Sequence, residues 1–395
     1  CFKLGIGIIM DKRKIAFVVN NVAFFVSHRL PLADKAISLG WETLLVTGRP
    51  GSLILEPDAI AKLNRHGVKH TSVGFSSSGI NPIAELWSLL KLVHVLRHFK
   101  PDIIHAASPK GVIYGGLVGR LLSIQNLTVA LTGMGYLHTD GAKSNFLKRF
   151  LRFVVGIFYR FIFSDKNINI IVQNLDDKNY VMEKLEVPES KVTLIKGSGV
   201  DLAQYSDCSP SHKSKIIVLP ARMLLDKGVL EFVGAAKVLR DEFKGWKFIL
   251  AGTADYKNPA SIDEAELQAM CNESGVEWLG HVSDMPQLYR KAAIVCLPSY
   301  REGMPKVLLE GAAAGCALIS TYAPGCREAV QNGVSGELIT PHSTKALITC
   351  LRVLLPDEKK IYRYGLNAQN VARQQYDISQ VVQKTFKIYE GRISE

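Results

Sequence analysis

Two glutamates lie eight residues apart at a strand-to-helix turn, and their spacing suits a site for phosphate and ribose. A buried strand is predicted to end at Leu297. A helix is predicted to begin at Pro305, because proline loses no hydrogen bond in a first helical turn. Gly303 lets the backbone approach a ligand closely, and the helix N-terminus favours an anion. Glu310, inside that helix, can accept two hydrogen bonds from a ribose diol, whereas Glu302 lies in the loop. Two surface glutamates without a ligand are the alternative.

A second loop carries two cations. Arg222 and Lys227 lie five residues apart, between the end of a predicted strand and a helix that starts after Gly228. A planar guanidinium and a compact ammonium on one loop suit a diphosphate group. An ordinary basic loop is the alternative, and the nearby pair of glutamates makes it the weaker one.

Both loops need a scaffold of parallel strands. From Lys14 onwards, short β-branched runs alternate with longer amphipathic stretches, a pattern typical of a parallel sheet covered by helices on both faces. The strands predicted in the first half are Ile15–Asn20, Thr43–Thr47, Ile103–Ala106, Thr128–Thr132, Asn169–Val172 and Val192–Ile195. The helices predicted between them include His28–Leu39, Pro82–His98 and Lys110–Leu122.

A second series of strands and helices begins near Lys215, after a polar linker at 201–214. Its predicted strands are Ile216–Pro220, Lys247–Ala251, Val276–Leu279, Ile294–Leu297 and Ala317–Ser320, and its predicted helices include Leu230–Glu242, Glu264–Glu273 and Lys306–Ala314. A helical pattern then continues to about residue 392, with breaks near Pro356 and Tyr376.

The expected fold class is α/β, with two Rossmann-like domains facing a cleft. The expected boundaries are 14–205 for the first domain and 206–375 for the second. A C-terminal helix is expected at 376–395, and one possible position for it is across the first domain. Residues 1–13 are expected to be upstream sequence, because the segment does not start with an initiator methionine. It is too short for a membrane span, and it lacks the charged start and small-residue cleavage site of a secretion signal.

The chain is strongly basic, with 48 Lys+Arg against 36 Asp+Glu in 395 residues and a net charge of +12. Its 47% apolar content excludes a disordered chain. The charge is +9 in residues 1–207 and +3 in 208–395, so anionic partners are expected mainly at the first half. The seven cysteines form no CxxC pair and no zinc spacing, which suits a reducing cytoplasm.

Taken jointly, the motifs resemble those of the retaining family 4 glycosyltransferases, which have the GT-B fold. The similarity runs along nearly the whole chain from residue 14, and it is closest to a bacterial branch that builds capsule, O-antigen and protein-linked glycans. The matching segments, besides the two loops above, are 24–33, 101–105, 132–136, Gln173-Asn174 with Asp177, 197–201 and 324–328.

The resemblance implies a role for each matched residue. Arg222 and Lys227 would neutralise the donor diphosphate and stabilise the departing nucleoside diphosphate. Glu302 would orient the donor sugar, and Glu310 would hold the ribose hydroxyls. The remaining donor-binding residues implied are Gly303, Met304, Pro305, Lys306 and Gly199, and the side chains of Tyr300, Met304 and Lys306 are expected to help select the sugar.

The first domain would hold the acceptor. The residues that we expect on that side are His28, His105, Thr132, Gly133 and His138. A structural or surface role is the equal alternative for each histidine, and no residue is assigned as a catalytic base, since retaining relatives can react without one. The sequence contains no DxD motif, so we expect no cofactor and no metal ion, with two cations and a helix N-terminus in its place.

The segment 145–163 predicts an amphipathic helix with a basic stripe. On a helical wheel Lys148, Arg149, Arg152 and Arg160 occupy one third of the circumference, and phenylalanine and aliphatic residues fill most of the remainder. Four cations make a transmembrane span improbable, and a basic stripe beside an aromatic face is typical of an interfacial helix. A scaffold helix, buried through its aromatic face, is the alternative.

Together with these observations, the resemblance implies an enzyme that transfers a hexose or N-acetylhexosamine from a UDP-sugar to a polyprenyl-diphosphate-linked saccharide, at the inner face of the plasma membrane. The expected partners are the UDP-sugar, that acceptor and the anionic membrane surface. A GT-B sugar-nucleotide epimerase is one alternative. A nucleic-acid binder is the other, and it is disfavoured because no nucleic-acid-binding module is found.

Overall fold

The computed structural model describes residues 12–51, 55–76, 81–133, 146–255 and 258–391, with the backbone alone for 146–148, 150 and 151. The chain divides into two compact units. The first contains residues up to 130 together with 164–169, and the second contains 131–163 together with 170 onwards.

The first sheet has seven strands in the order β3-β2-β1-β4-β5-β6-β7. Its strands are β1 (Lys14–Val19), β2 (Glu42–Thr47), β3 (Lys69–Ser72), β4 (Ile103–Ala107), β5 (Asn126–Leu131), β6 (Ile168–Val172) and β7 (Val192–Leu194). The helices of this part of the chain are α1 (Val22–His28), α2 (Leu30–Ser38), α3 (Leu55–Arg65), α4 (Pro82–Phe99), α5 (Pro109–Leu121), α6 (Phe146–Phe163) and α7 (Leu175–Asn179), followed by a π-helical turn at Tyr180–Lys184. Every described register in this sheet is parallel.

The second sheet has six strands in the order β10-β9-β8-β11-β12-β13. Its strands are β8 (Ser214–Pro220), β9 (Lys247–Ala251), β10 (Glu277–Trp278), β11 (Ala292–Leu297), β12 (Ala317–Thr321) and β13 (Gly336–Ile339). The helices of this part are α8 (Val229–Leu239), α9 (Glu264–Ser274), α10 (Met285–Lys291), α11 (Lys306–Ala313), α12 (Cys326–Ala329), α13 (Thr344–Leu354), α14 (Glu358–Gln375) and α15 (Ile378–Tyr389).

The order of the second sheet reverses between β8 and β11, which pair directly. In a parallel sheet the loops after two such strands open at the same edge, where ligands bind in open α/β folds. The loop with Arg222 and Lys227 follows β8, and the loop with Glu302 follows β11. The topology therefore explains why two segments that are distant in sequence meet.

The two central strands of the second sheet are apolar on both faces, because helices cover both sides. Every residue of β11 is buried, as predicted from its continuous apolar run. Cys296 and Cys316 lie in this core, as expected, and burial raises the pKa of each thiol. The chain ends in three helices, α13 to α15, whose breaks fall at the two predicted positions.

The structure confirms the expected α/β class with two parallel sheets and corrects some element bounds. The helix expected at His28–Leu39 is confirmed as α2, with slightly shorter bounds. A further helix, α1, precedes it and was not predicted; the two are separated at Arg29, whose φ of −133° is not helical. Two edge strands were not predicted. β3 has no buried residue and β13 is half-buried, so neither shows the continuous apolar run of an interior strand.

Candidate active site

The loop between β11 and α11 is the centre of the site. β11 ends at Leu297, as predicted, and α11 begins at Lys306, with Pro305 in the N-cap position and no side chain capping the helix. The expected start at Pro305 is therefore one residue early. The first turn of α11 points its N–H groups out of the helix, and the helix dipole adds positive potential there.

Lys227 and Glu302 form an enclosed ion pair within this loop region. The Lys227 Nζ lies 2.5 Å from Glu302 Oε1, and each side chain is only 15% exposed. The Ser299 hydroxyl donates to the same carboxylate oxygen at 2.8 Å. A charge-assisted hydrogen bond in such a position is among the stronger polar interactions in a protein. The structure thus brings together two of the three predicted catalytic residues.

The backbone around Glu302 is fixed from two sides by neighbouring loops. The Glu302 N–H donates to the Pro324 carbonyl at 2.9 Å, and the Tyr300 N–H donates to the Asp226 carbonyl at 2.9 Å. Gly303 packs directly on the Thr132 carbonyl, where a Cβ atom would clash with backbone. A glycine is therefore needed at 303 to let two chain segments cross, in addition to any approach by a ligand.

A cluster of polar side chains holds the same loop through hydrogen bonds. The Asn174 amide donates to the Gly303 carbonyl at 2.8 Å and to Asp177 Oδ2 at 2.9 Å. Arg301 donates to the other Asp177 oxygen at 2.8 Å, and the Asp177 side chain is fully buried. Burial raises the pKa of Asp177, an effect that Arg301 opposes. We call Asn174, Asp177 and Arg301 the loop-support cluster.

Arg222 lies in a more open environment than Lys227. Its guanidinium donates to Asp255 Oδ2 at 2.7 Å, while its own side chain is 58% exposed. The two cations predicted to act together therefore have different partners: one is enclosed by Glu302, and the other is held at the surface by an aspartate. An exposed pair of this kind leaves the guanidinium accessible to an anionic ligand.

Glu310 lies on α11 with two polar neighbours. Lys306, one turn earlier, places its Nζ 3.2 Å from Glu310 Oε1, and the Tyr289 hydroxyl lies 3.4 Å from Oε2. Burial and the nearby carboxylate raise the pKa of Tyr289 well above its usual value, so the phenol stays protonated and donates. Glu310 itself is mostly buried, and one oxygen edge of such a carboxylate can serve a diol.

Three residues expected at the donor lie in surroundings that point to other roles. Met304 is buried in the core of the second sheet, so its side chain packs instead of facing solvent. Gly199, with φ of +78°, packs against Ile378 at the start of α15. Tyr300 donates to Glu231 at 2.6 Å, and its ring lies 3.6 Å from that of His342.

Two of the predicted acceptor-side histidines, His28 and His105, lie in the first unit in unlike environments. His105 is buried, and burial together with the positive charge of Arg29 lowers its pKa well below the usual value, which keeps the imidazole neutral. His28 ends α1, stacks on Phe24 and contacts the Phe24 carbonyl at 3.1 Å. Thr132 and Gly133 lie beside Gly303, as described above, and His138 lies outside the described residues.

Helix α6 exposes much of its aromatic side. Among its described side chains, Tyr159, Ile162 and Phe163 are buried. Phe153 is 66% exposed, and Ile157, Phe158 and Phe161 are also exposed. The alternative of a scaffold helix expects this aromatic side to be buried, which holds for Tyr159 and Phe163 and not for Phe153, Phe158 and Phe161. The helix instead buries a narrow face and presents phenylalanines to solvent.

The cations of α6 border this aromatic surface. Arg149 and Arg160 are exposed, and Arg160 donates to the Lys184 carbonyl at 2.9 Å. Arg152 is half-buried. The side chain of Lys148 lies outside the described residues. In the part of the chain that the structure describes, no helix is long and apolar enough to cross a membrane.

Some residues of the site were not predicted from sequence. Ser299, Asp255 and Tyr289 contact the predicted side chains, and nothing in their local sequence signals this. Asn174 and Asp177 were noted as a matching segment without a role. In the described residues, no group of three His, Cys, Asp or Glu side chains has a geometry for a metal ion.

Two family models match the chain in succession. The model described as "Glycosyl transferase 4-like" matches residues 14–174, which include the first sheet up to β6. The model described as "Glycosyl transferases group 1" matches residues 214–357, which include the second sheet and both loops of the site.

Individual proteins extend the similarity over the full length. A Campylobacter jejuni N,N'-diacetylbacillosaminyl-diphospho-undecaprenol alpha-1,3-N-acetylgalactosaminyltransferase is 29% identical over 95% of this chain and 98% of its own length. An Escherichia coli UDP-Gal:alpha-D-GlcNAc-diphosphoundecaprenol alpha-1,3-galactosyltransferase is 24% identical over 78% of this chain and 80% of its own length.

A solved structure shows the same fold. The crystal structure of a glycosyltransferase from Rickettsia africae superposes with a TM-score of 0.74 at 16% identity and covers 98% of this chain and 100% of its own. With both sheets, both family matches and these similarities in agreement, the chain belongs to the glycosyltransferases with the GT-B fold, of the 4-like and group 1 families.

Proposed function

We propose that this glycosyltransferase moves a hexose or N-acetylhexosamine from a UDP-sugar to a polyprenyl-diphosphate-linked saccharide, with retention of the anomeric configuration. The observation that carries the proposal is the ion pair of Lys227 and Glu302 at the switch point of the second sheet, beside the N-terminus of α11. The two relatives support it, since both act on diphospho-undecaprenol-linked sugars and one uses UDP-Gal.

In this proposal each polar group of the site has one task. Lys227, Arg222 and the positive dipole end of α11 stabilise the charge that develops on the departing diphosphate. Glu302, held by Lys227 and Ser299, accepts from a donor-sugar hydroxyl. Glu310 accepts from the ribose hydroxyls on its open edge. Fixed groups of this kind lower the barrier because they need no reorganisation during transfer.

We propose that the reaction needs no metal ion, because two cations and a helix N-terminus can supply the positive charge that a diphosphate requires. The test is the transfer rate with EDTA and after addition of magnesium. An unchanged rate is expected. A rate that EDTA abolishes and magnesium restores would overturn this part of the proposal.

We also propose that the acceptor is reached at the inner face of the plasma membrane, through α6. Its exposed phenylalanines and flanking arginines suit the boundary between acyl chains and anionic headgroups. Arg149 and Arg160 changed to glutamate together should reduce flotation with anionic vesicles. Arg240 and Arg352 changed to glutamate are the matched control, since both are surface arginines of the second unit. Equal flotation of all proteins would contradict the role of α6.

The enzymatic proposal is tested by following the products. With a UDP-sugar and a polyprenyl-diphosphate-linked saccharide, the wild type should form a glycoside with the anomeric configuration of the donor. Glu310→Ala should raise the KM for the donor by about tenfold, because about two hydrogen bonds to the ribose are lost. Epimerised donor without transfer would instead favour a sugar-nucleotide epimerase, and a normal KM for Glu310→Ala would refute the ribose assignment.

A further inference from the structure

Helix α4, in the first unit, has an exposed apolar stripe that the proposed function does not use. Ile83, Leu86, Trp87 and Leu90 follow the spacing of one helix face, and their exposed fractions run from 52% to 71%. The opposite face is anchored in the core by Ser88, Leu92 and Leu96. Scattered exposed apolar residues are normal in proteins, but a continuous stripe marks a surface for contact.

The exposed face of α4 changes from apolar to basic along the helix. Beyond Leu90 its exposed residues are Lys91, His94, Arg97 and His98. The helix contains one carboxylate, Glu85, which is turned inward and accepts from Lys110 at 2.7 Å. The outer face of α4 is thus apolar over its first two turns, cationic over its last two, and free of negative charge.

This arrangement fits an anionic lipid surface better than a protein partner. A tryptophan beside aliphatic residues is typical of the boundary between acyl chains and headgroups, because the indole combines an apolar body with a polar N–H. Adjacent cations gain further binding energy from anionic headgroups. The apolar residues lie in the N-terminal half of α4 and the cations in its C-terminal half. This order suits a helix whose N-terminal end enters the lipid first.

We propose that α4 is a second membrane-binding surface of this enzyme, separate from α6. The N-terminal half places Leu86, Trp87 and Leu90 among the acyl chains, and the C-terminal half places Lys91 and Arg97 against anionic headgroups. The proposal does not depend on the nucleotide, on the acceptor or on the assignment of the active site.

Flotation with vesicles of equimolar phosphatidylcholine and phosphatidylglycerol tests the surface. The double substitution Leu86→Glu and Leu90→Glu should lower the bound fraction about tenfold or more, because two apolar contacts are replaced by charges that anionic lipid repels. Leu121→Glu is the matched control, since Leu121 is a single exposed leucine at the end of α5 in the same unit. It should bind like the wild type.

The depth of Trp87 gives an independent measurement. Vesicles with acyl chains brominated near the headgroup should quench the tryptophan fluorescence of the wild type, and Trp87→Phe should lose most of that quenching while the protein still floats. This conservative variant keeps the test valid even if the glutamate variants fold poorly.

Three results would overturn the inference: equal flotation of the wild type and the double variant, quenching that survives Trp87→Phe, or a wild-type dimer in solution that the double variant dissociates. The last would assign the stripe to a second copy of the chain. Transfer to a water-soluble acceptor analogue separates this inference from the proposed function. A double variant that keeps transfer but loses flotation supports the surface, whereas a wild type that floats without transferring sugar removes only the proposed function.

Discussion

Lys227 and Arg222 follow the same strand and were predicted to do the same work, yet they lie in different environments. Lys227 and its partner Glu302 are each 15% exposed, with 2.5 Å between the charged atoms. Arg222 is 58% exposed and pairs with Asp255 at 2.7 Å. An ion pair screened by water contributes little, whereas a partly enclosed one interacts through a lower effective dielectric.

The unequal exposure of Lys227 and Arg222 indicates that the site has a fixed part and an adaptable part. Lys227 is enclosed with Glu302, whose loop is supported by the loop-support cluster, so its position is set before any ligand binds. Arg222 is at the surface and can move towards a diphosphate at low cost. We expect the fixed part to carry the chemical step and the adaptable part to contribute mainly to binding.

The largest effect is expected from Lys227→Ala. Loss of a preorganised charge at a developing anion lowers kcat by about 10²–10³-fold in comparable sites, and here it also leaves Glu302 without its cation. The measurement is single-turnover transfer. Lys237→Ala is the control, since Lys237 also pairs with a glutamate, Glu273, but on the surface. Similar rates for both variants would show that the enclosed cation has no part in the chemical step.

The loop-support cluster should produce the next largest effect. Asp177→Ala removes the buried partner of Arg301 and is expected to lower kcat by about 10²-fold, because small misplacements of a reacting group are costly. Breaking a buried ion pair also destabilises the fold by about 3–5 kcal/mol.

Asp177→Asn separates positioning from stability, because it keeps an acceptor for Arg301 and a shape close to that of aspartate. Transfer should recover partly, and the KM for the donor should stay near that of the wild type. A change confined to thermal stability, with kcat intact in Asp177→Ala, would show that the cluster is structural only.

Arg222→Ala should have a smaller effect, a rise of about tenfold in the KM for the donor with kcat changed less, because a charged hydrogen bond to phosphate is worth about 1.5–3 kcal/mol at most in a partly exposed position. Asp255→Asn should change little. The effect of Arg222→Ala should shrink as salt is raised, whereas that of Lys227→Ala should persist. A larger loss of kcat in Arg222→Ala than in Lys227→Ala would contradict the roles assigned to the two cations.

The smallest expected effect is on the pH dependence of the free energy of unfolding. Burial raises the pKa of Asp177 above its ordinary value of 3.8, so the folded state binds this proton more tightly than the unfolded state does. Its contribution to the free energy of unfolding is complete below pH 3.8 and declines as pH rises through the raised pKa. Asp177→Asn should remove that part of the slope, which for a single group is at most about 1.4 kcal/mol per pH unit. An unchanged slope would contradict the assignment.

Much of the fold was predictable from the sequence. Continuous apolar runs located β8, β9 and β11 closely, and proline and glycine marked the turns at 297–305 and 226–228. The edge strands β3 and β13 were missed because strands without two buried faces lack that signal. Helix α1 was missed because its seven residues are too few to show a helical pattern of apolar side chains.

The site was predictable in its members but not in its internal partners. Strand-loop-helix patterns and charge type identified Lys227, Glu302 and Glu310. Neighbouring residues such as Ser299 and Asp255 were not identified from the sequence, because their contacts arise from the packing of loops. Met304 shows the limit of inferring from position alone: it lies next to Gly303 in the loop, yet it is buried in the core.

A crystal structure with UDP bound tests most directly whether Lys227 and α11 bind the donor diphosphate. We expect a β-phosphate oxygen within hydrogen-bonding distance of Lys227 Nζ and of the first turn of α11, with Arg222 turned from Asp255 towards the diphosphate. A nucleotide whose diphosphate contacts neither Lys227 nor α11 would contradict this expectation.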